Sequence, residues 1–142
     1  MWKLLRTFCK ARDGNATQQN PMELHVSQIS AVELASLCRR APDQIMIFDL
    51  RESTEIEGHP YAIPGALLTI NVDFDVLIPW IPPGTVVILY ATTGMPTRYA
   101  CIHLLSRELR FYVLEGGLRS WREAGLPLEQ FVLGDRRALD NR

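Results

Sequence analysis

Polar residues that could take part in chemistry follow two apolar segments of this sequence. Asp49 and Arg51 come at the end of the apolar segment 44–50, and the small polar segment 91–96 follows the apolar segment 85–90. A carboxylate and a guanidinium can bind a substrate or pair with each other. A tight loop between a strand and a helix offers backbone N–H groups to a small anion or a reactive side chain. These two places are therefore the candidate functional sites.

Cysteine is a further residue type that could carry chemistry, and the sequence has three: Cys9, Cys38 and Cys101. Their odd number and wide spacing, without a Cys-x-x-Cys pair, argue against a disulfide framework and against a zinc site. The same usage favours a reducing compartment. We therefore expect a cytoplasmic protein with no metal and no cofactor.

Length and charge exclude several classes of protein. The 142 residues, of which 47% are apolar and 22% charged, suffice for one domain with a hydrophobic core. A net charge of −1 gives no electrostatic case for nucleic-acid binding. No apolar run approaches the roughly 18 residues that are needed to span a bilayer.

The N-terminal residues 1–12 are basic and partly apolar, and both kinds of side chain recur near helical spacing: Trp2, Lys3, Leu5, Arg6, Phe8 and Lys10. One interpretation is a short helix that makes a weak contact with a membrane surface or docks on a partner. The other, which we favour, is a frayed extension, because isolated helices shorter than about 12 residues are marginally stable.

Strand-like and helix-like segments alternate along the rest of the chain. The strand-like segments are 24–29, 44–50, 67–72, 85–90 and 110–114, and the helix-like ones are 31–40, 73–80, 97–109 and 118–124. Ser30 and Glu33 form a capping-box pattern before the first helix. Residues 51–66 are expected to be a charged connection, and residues 128–142 a polar tail with little to pack. Such alternation predicts a parallel sheet between helices, with ligands beyond the carboxyl ends of the strands.

Several segments, in the same order, resemble those of the rhodanese (sulfurtransferase) domain. Ile47-Phe-Asp-Leu-Arg-Glu52 is similar to the D-x-R-E segment of that family, and Ile63-Pro-Gly-Ala66 to its H-I-P-G-A turn. Leu114-Glu-Gly-Gly-Leu-Arg-Ser-Trp-Arg-Glu-Ala-Gly-Leu-Pro127 is similar to the closing L-x-G-G-x-x-x-W-x-x-x-G-x-P pattern. The resemblance implies a three-layer α/β fold of about five parallel strands. We expect an extension at 1–22, a rhodanese-like domain at 23–129 and a tail at 130–142.

The loop that follows residues 85–90 departs from the family at two positions. In the family, this strand ends in a nucleophilic cysteine that accepts sulfur as a persulfide, and many members end the loop with an arginine. The resemblance places Ala91 at the cysteine position and Pro96 at the arginine position. A methyl group has no lone pair and no proton to lose, so covalent transfer at Ala91 is excluded. We therefore predict no catalytic residue in this loop.

The loop keeps the length of a sulfurtransferase loop, six residues, rather than the seven of the related phosphatases, which disfavours a phosphatase-like role. Its backbone could still hold a small anion, although Pro96 lacks an N–H group. The residues predicted to form this site are Ala91, Thr92, Thr93, Gly94, Met95, Pro96 and Thr97.

Some roles stay open between two interpretations. Cys101 is the alternative nucleophile, yet it lies ten residues beyond Ala91, and a buried inert thiol is favoured. Asp49 and Arg51 are expected to support the loop, with Asp49 accepting loop N–H groups and Arg51 pairing with an acid such as Glu52 or Glu55. The histidine of the family's turn corresponds to His59, three residues early, or is replaced by Ala62.

The sequence thus favours a catalytically inactive rhodanese-like domain, a binding or regulatory module that recognises a protein partner or a small anion. The alternative is a thiosulfate-type sulfurtransferase that uses Cys101 or Cys9 in a non-standard way.

Overall fold

The computed structural model describes residues 26–69, 74–94 and 98–131. The strands are β1 (Gln28–Ile29), β2 (Ile45–Asp49), β3 (Tyr61–Ala62), β4 (Leu67–Leu68), β5 (Val86–Tyr90), β6 (Phe111–Leu114) and β7 (Glu129–Gln130). The α-helices are α1 (Ala31–Arg40), α2 (Ser53–Gly58), α3 (Phe74–Leu77), α4 (Arg98–Ser106) and α5 (Gly117–Glu123), and short 3₁₀ turns lie at Pro42–Gln44 and Ile78–Trp80.

The main sheet has five strands in the order β1-β6-β5-β2-β4, and all neighbouring pairs are parallel. β3 and β7 form a separate antiparallel pair. The predicted parallel α/β sheet is therefore confirmed. Because Asp49 lies opposite Tyr90 in the register of β2 and β5, the carboxyl ends of these two central strands are neighbours.

The strand β5 is buried along its whole length because helices cover both faces of the sheet. Ile88 packs in a core cluster with Leu34 of α1 and Trp121 of α5. Leu89, which points to the opposite face, packs in a second cluster with Leu77 of α3 and Leu104 of α4. The two clusters give the three-layer arrangement that the resemblance implied, with α1 and α5 on one face and α3 and α4 on the other.

The helix α1 begins with the capping box that its sequence predicts. Ser30 Oγ accepts a hydrogen bond from the Glu33 N–H at 3.2 Å, and Glu33 Oε2 accepts one from the Ser30 N–H at 3.0 Å. Arg39 and Arg40 lie in the last turn, where the helix dipole favours positive charge. These bonds fix the start of α1 directly after the edge strand β1.

Two expectations about connections are wrong. The segment 51–66 is not only a connection, because it contains α2 and β3. The segment that begins at residue 128 does pack, since β7 pairs with β3 and Phe131 is buried. Both errors have the same reason: these elements are short, and partners distant in sequence stabilise them.

The predicted bounds of several elements also extend past the observed ones. The first strand is limited to Gln28–Ile29 and the long helix to Arg98–Ser106. Residues 24, 25, 70–73 and 97, which the predictions included, lie outside the described residues. Among the described residues, no helix is long and apolar enough to cross a membrane.

Candidate functional site

The end of β2 carries a buried ion pair. Arg51 is 2% exposed and Asp49 is fully buried. Arg51 donates to the Asp49 carboxylate from Nε at 3.0 Å and from Nη2 at 2.7 Å, and its backbone N–H donates to the same carboxylate at 3.0 Å. The expectation that Arg51 pairs with Glu52 or Glu55 is therefore wrong. Two adjacent buried charges compensate each other better than either would be compensated by an exposed partner.

The remaining donors of Arg51 bind the connection that follows α2. Nη1 donates to the carbonyl oxygen of His59 and Nη2 to that of Tyr61, both at 2.9 Å. Burial acts to lower the pKa of Arg51, but the hydrogen bonds and the charge of Asp49 outweigh it and raise the pKa. The guanidinium is thus permanently charged, and it fixes the polypeptide at residues 59–61.

Tyr90, the last residue of β5, completes this network. Its hydroxyl donates to Asp49 Oδ2 at 2.7 Å and accepts a hydrogen bond from the Ile63 N–H at 3.3 Å. Burial, followed by the charge and hydrogen bond of Asp49, raises the pKa of Tyr90, so that the hydroxyl stays protonated. The Asp49 carboxylate therefore accepts hydrogen bonds from Arg51 and Tyr90. The expected hydrogen bonds from loop N–H groups to Asp49 are not among the contacts of the described residues.

The end of β5 is built differently, because Ala91 and Thr92 serve as backbone acceptors for α5. The Leu118 N–H donates to the Ala91 carbonyl at 2.9 Å, and the Arg119 N–H donates to the Thr92 carbonyl at 3.1 Å. A Cβ atom on Gly117 would lie 2.5 Å from the Ala91 oxygen, and this glycine has φ +62°. Only glycine fits both conditions, which explains why α5 starts directly beside the loop.

The described part of the loop is open to solvent. Ala91 is half-buried, and Thr92, Thr93 and Gly94 are exposed. Thr92 Oγ1 lies 2.9 Å from Glu55 Oε1, which links the loop to α2. The predicted site residues Met95, Pro96 and Thr97 lie outside the described residues.

A cleft of about 210 Å³ lies between α2, the loop and α5, and it is lined by Arg51, Glu55, His59, Thr92, Leu118, Arg119 and Arg122. Of these residues, Arg51 and Thr92 are predicted site residues, and His59 is one of the two alternatives for the histidine of the turn. The arginines of α5 are not predicted from the sequence, because nothing in it indicates which face of this helix lies against the loop. Arg119 pairs with Glu123 through an exposed contact of 3.0 Å.

The two candidates for the histidine of the turn have different surroundings. The ring of His59 lines the cleft and lies 5.3 Å from the ring of Tyr61, centroid to centroid. Within the described part of the chain, His59 Nδ1 has no hydrogen-bond partner. Ala62 is fully buried in β3, so of these two candidates it is His59 that presents its side chain to the cleft.

The described cysteines lie away from the cleft. Cys101 of α4 is 1% exposed and packs with Val87, Leu89 and other residues on the face of the sheet opposite α5. Burial raises the pKa of the Cys101 thiol, and it also raises that of Cys38 in α1. The burial expected of Cys101 is confirmed, whereas Cys9 lies outside the described residues. No group of three or more potential metal ligands occurs among residues 26–69, 74–94 and 98–131.

Known proteins resemble this chain in structure rather than in sequence. A scan against protein-family models finds no matching family, and a search of curated proteins finds no match. A full-length protein from Lactobacillus plantarum is 24% identical with a TM-score of 0.63, covering 73% of this chain and 88% of that one. A thiosulfate sulfurtransferase from Pseudomonas aeruginosa is 19% identical with a TM-score of 0.64, and the match covers 82% of this chain but 22% of the longer enzyme.

A third solved structure bears the family description in its name. It is a rhodanese-related protein from Thermoplasma volcanium, 21% identical, with a TM-score of 0.54 and coverage of 72% of this chain and 96% of that one. Together with the parallel sheet, these likenesses show that the chain has the rhodanese-like α/β fold.

Proposed function

We propose that this rhodanese-like domain is a non-catalytic binding or regulatory module, with a protein partner or a small anion as its ligand. The observation that carries the proposal is the residue that directly follows β5. It is Ala91, a half-buried residue whose methyl side chain stands between β5 and the described loop residues, and whose carbonyl accepts a hydrogen bond from α5.

Sulfur transfer at this position requires a thiolate that attacks the donor and holds the transferred atom. Ala91 offers no such atom. The neighbouring hydroxyl of Thr92 faces Glu55, but Glu55 is an exposed residue whose other oxygen accepts the Glu52 N–H at 2.8 Å. This arrangement supports a structural hydrogen bond rather than an activated nucleophile.

The cleft supports the binding role. Arg119 and Arg122 line it from α5, and Leu118 supplies an apolar surface. Arg51 adds little, because Asp49 compensates its charge and its described donors are already bound to Asp49 and to two carbonyl groups. The Glu55 carboxylate opposes an anion, so we expect weak affinity for simple inorganic anions. A cytoplasmic location and a membrane-surface contact through residues 1–12 stay predictions of the sequence.

The alternative of a sulfurtransferase with an unusual nucleophile draws no support from Cys101. Its thiol is buried on the far side of the sheet, where burial raises its pKa and so disfavours the reactive thiolate. Cys9 is left as the candidate for this alternative.

The test incubates the full chain with thiosulfate and cyanide and measures thiocyanate, with mass spectrometry of the protein after the thiosulfate step. We expect no thiocyanate above the protein-free rate and no gain of one sulfur atom. Ala91→Cys is the matched variant, since it restores a thiol at the loop and changes nothing else. A persulfide on Cys101 or Cys9 of the unaltered chain, with thiocyanate formation, would overturn the proposal.

A further inference from the structure

The last described residues, 124–131, which we call the C-terminal segment, run from one wall of the cleft to the other. One wall is α5, with Arg119 and Arg122, and the other is formed by Glu55 and His59 on and after α2. The C-terminal segment leaves α5 directly and ends at Phe131, which is buried beside α2.

The first half of the C-terminal segment is attached to α5 and the core. Trp121 Nε1 donates to the Pro127 carbonyl oxygen at 2.7 Å. Leu126 and Leu128 pack against the core cluster that contains Trp121. This half therefore follows the position of α5.

The second half is attached to the connection after α2. β7 pairs with β3, with Gln130 opposite Tyr61 and Glu129 opposite Ala62. The Phe131 N–H donates to the Pro60 carbonyl oxygen at 2.7 Å. Since Arg51 binds the carbonyl of Tyr61, this pairing lies against the ion pair at the end of β2.

The helix α2 depends on this attachment. It has six residues, far fewer than an isolated helix needs, and Ile56 is its one buried residue. Ile56 packs in a small cluster with Ala62 and Phe131, with Leu68 at its edge, apart from the two core clusters. Of the buried side chains in this cluster, Phe131 is the one supplied by the C-terminal segment.

We propose that Phe131 is a positioning residue for the cleft. By holding Ile56, it sets the position of α2, and α2 carries Glu55 to its 2.9 Å contact with Thr92 across the mouth of the loop. His59 follows, because its N–H donates to the Glu55 carbonyl at 3.0 Å at the end of α2. The site of the proposed function is thereby coupled to the C-terminal segment. Binding of a ligand that contacts both walls therefore strengthens the attachment of Phe131. By the same linkage, loss of the Phe131 contact lowers the affinity for that ligand by the same factor.

Hydrogen exchange of the full chain tests whether Phe131 positions α2, with Phe131→Ala compared with Phe131→Leu and with Leu104→Ala. Leu104 of α4 is fully buried in the core cluster that contains Leu89 and Leu77, away from Phe131, so its truncation is the matched control for a core cavity. We expect amides of α2 and β3 to exchange about tenfold faster in Phe131→Ala, with little change in β2 and β5. Phe131→Leu should restore exchange to within about twofold of the unaltered chain, because it keeps an apolar side chain at the site.

Equal acceleration in α2 for Phe131→Ala and Leu104→Ala would contradict the proposal, since the effect would then be general loss of stability. Unchanged exchange in α2 for Phe131→Ala would contradict it equally. The measurement requires neither a ligand nor an activity. The proposed function is judged by thiocyanate formation instead, so the two can fail separately.

Discussion

The carboxyl ends of β2 and β5 lie side by side in the sheet, but buried charged residues lie at the end of β2, whereas uncharged, more exposed residues follow β5. At β2, Asp49 and Arg51 are buried charges whose hydrogen bonds all run to protein atoms described in the site. At β5, the chain passes through Ala91, whose side chain has no polar atom, into the exposed residues Thr92–Gly94.

The difference separates the requirements of stability from those of chemistry. An uncompensated buried charge is costly, so neither Asp49 nor Arg51 can be replaced alone without a large penalty. The side chain of residue 91 takes no part in the hydrogen bonds from α5, which end on the backbone carbonyls of Ala91 and Thr92. A methyl group at this position therefore leaves those bonds undisturbed. The hydrogen bonds at this edge of the sheet are therefore present although the residue that follows β5 carries no reactive group.

The largest effect should come from breaking the ion pair at β2. Asp49→Ala leaves Arg51 charged and buried and removes the acceptor of the Tyr90 hydroxyl, so we expect a loss of about 3–5 kcal/mol in the free energy of unfolding. Glu123→Gln, which breaks the exposed pair with Arg119, is the control and should cost at most about 0.5 kcal/mol. Urea denaturation measures both. Similar costs for the two variants would remove the distinction between a buried and an exposed pair.

The next effect concerns the end of β5. Gly117→Ala places a methyl group 2.5 Å from the Ala91 oxygen at φ +62°, whereas Gly125→Ala, at φ +69°, meets nothing within 4 Å. The second variant should therefore show only the backbone cost, about 1–2 kcal/mol. Gly117→Ala should cost about 1–3 kcal/mol more because α5 must move from the loop. Thermal unfolding measures the difference, and equal costs would mean that the α5 contact with Ala91 is easily displaced.

A smaller effect is expected for the hydroxyl that joins the two strand ends. Tyr90→Phe removes the donor to Asp49 and the acceptor of the Ile63 N–H, so we expect a loss of about 1–2 kcal/mol at pH 7.

The pH dependence of this variant sharpens the test. The raised pKa of Tyr90 means that the phenol ionises in the unfolded chain above about pH 10 but stays protonated in the fold. The contribution of Tyr90 to the free energy of unfolding is complete below that pH, and above it the contribution falls by up to about 1.4 kcal/mol per pH unit. The stability advantage of the unaltered chain over Tyr90→Phe should therefore narrow between pH 10 and 11. A constant difference over this range would show that Tyr90 titrates normally in the fold.

Local patterns in the sequence were sufficient for the elements that local interactions form. The capping box predicted α1, and the apolar segment at 85–90 predicted a strand buried on both faces. The element α2 was missed because its charged sequence has one buried residue, Ile56, whose partner Phe131 is 75 positions away in the sequence. Elements that depend on such distant contacts leave little periodicity to detect.

The candidate site follows the same division. Asp49, Arg51 and Thr92 could be named because they follow predicted strands, where parallel sheets present functional residues. The partner of Arg51 was predicted wrongly because the choice among nearby acids depends on which one is buried. Arg119 and Arg122 could not be assigned to the cleft, since only the hydrogen bonds of α5 to Ala91 and Thr92 determine which side chains face it.

The central proposal is that Ala91 stands where related domains have a reactive thiol, and that the surroundings of Ala91 still favour a negative charge. The most direct measurement is the pH dependence of alkylation of the thiol introduced by Ala91→Cys, with Cys101 as the internal buried control. Backbone N–H groups of the loop and the arginines of the cleft should stabilise the thiolate, so we predict a pKa clearly below the unperturbed value of about 8.5. A pKa at or above that value would contradict the account, because the loop would then provide no favourable site for a negative charge.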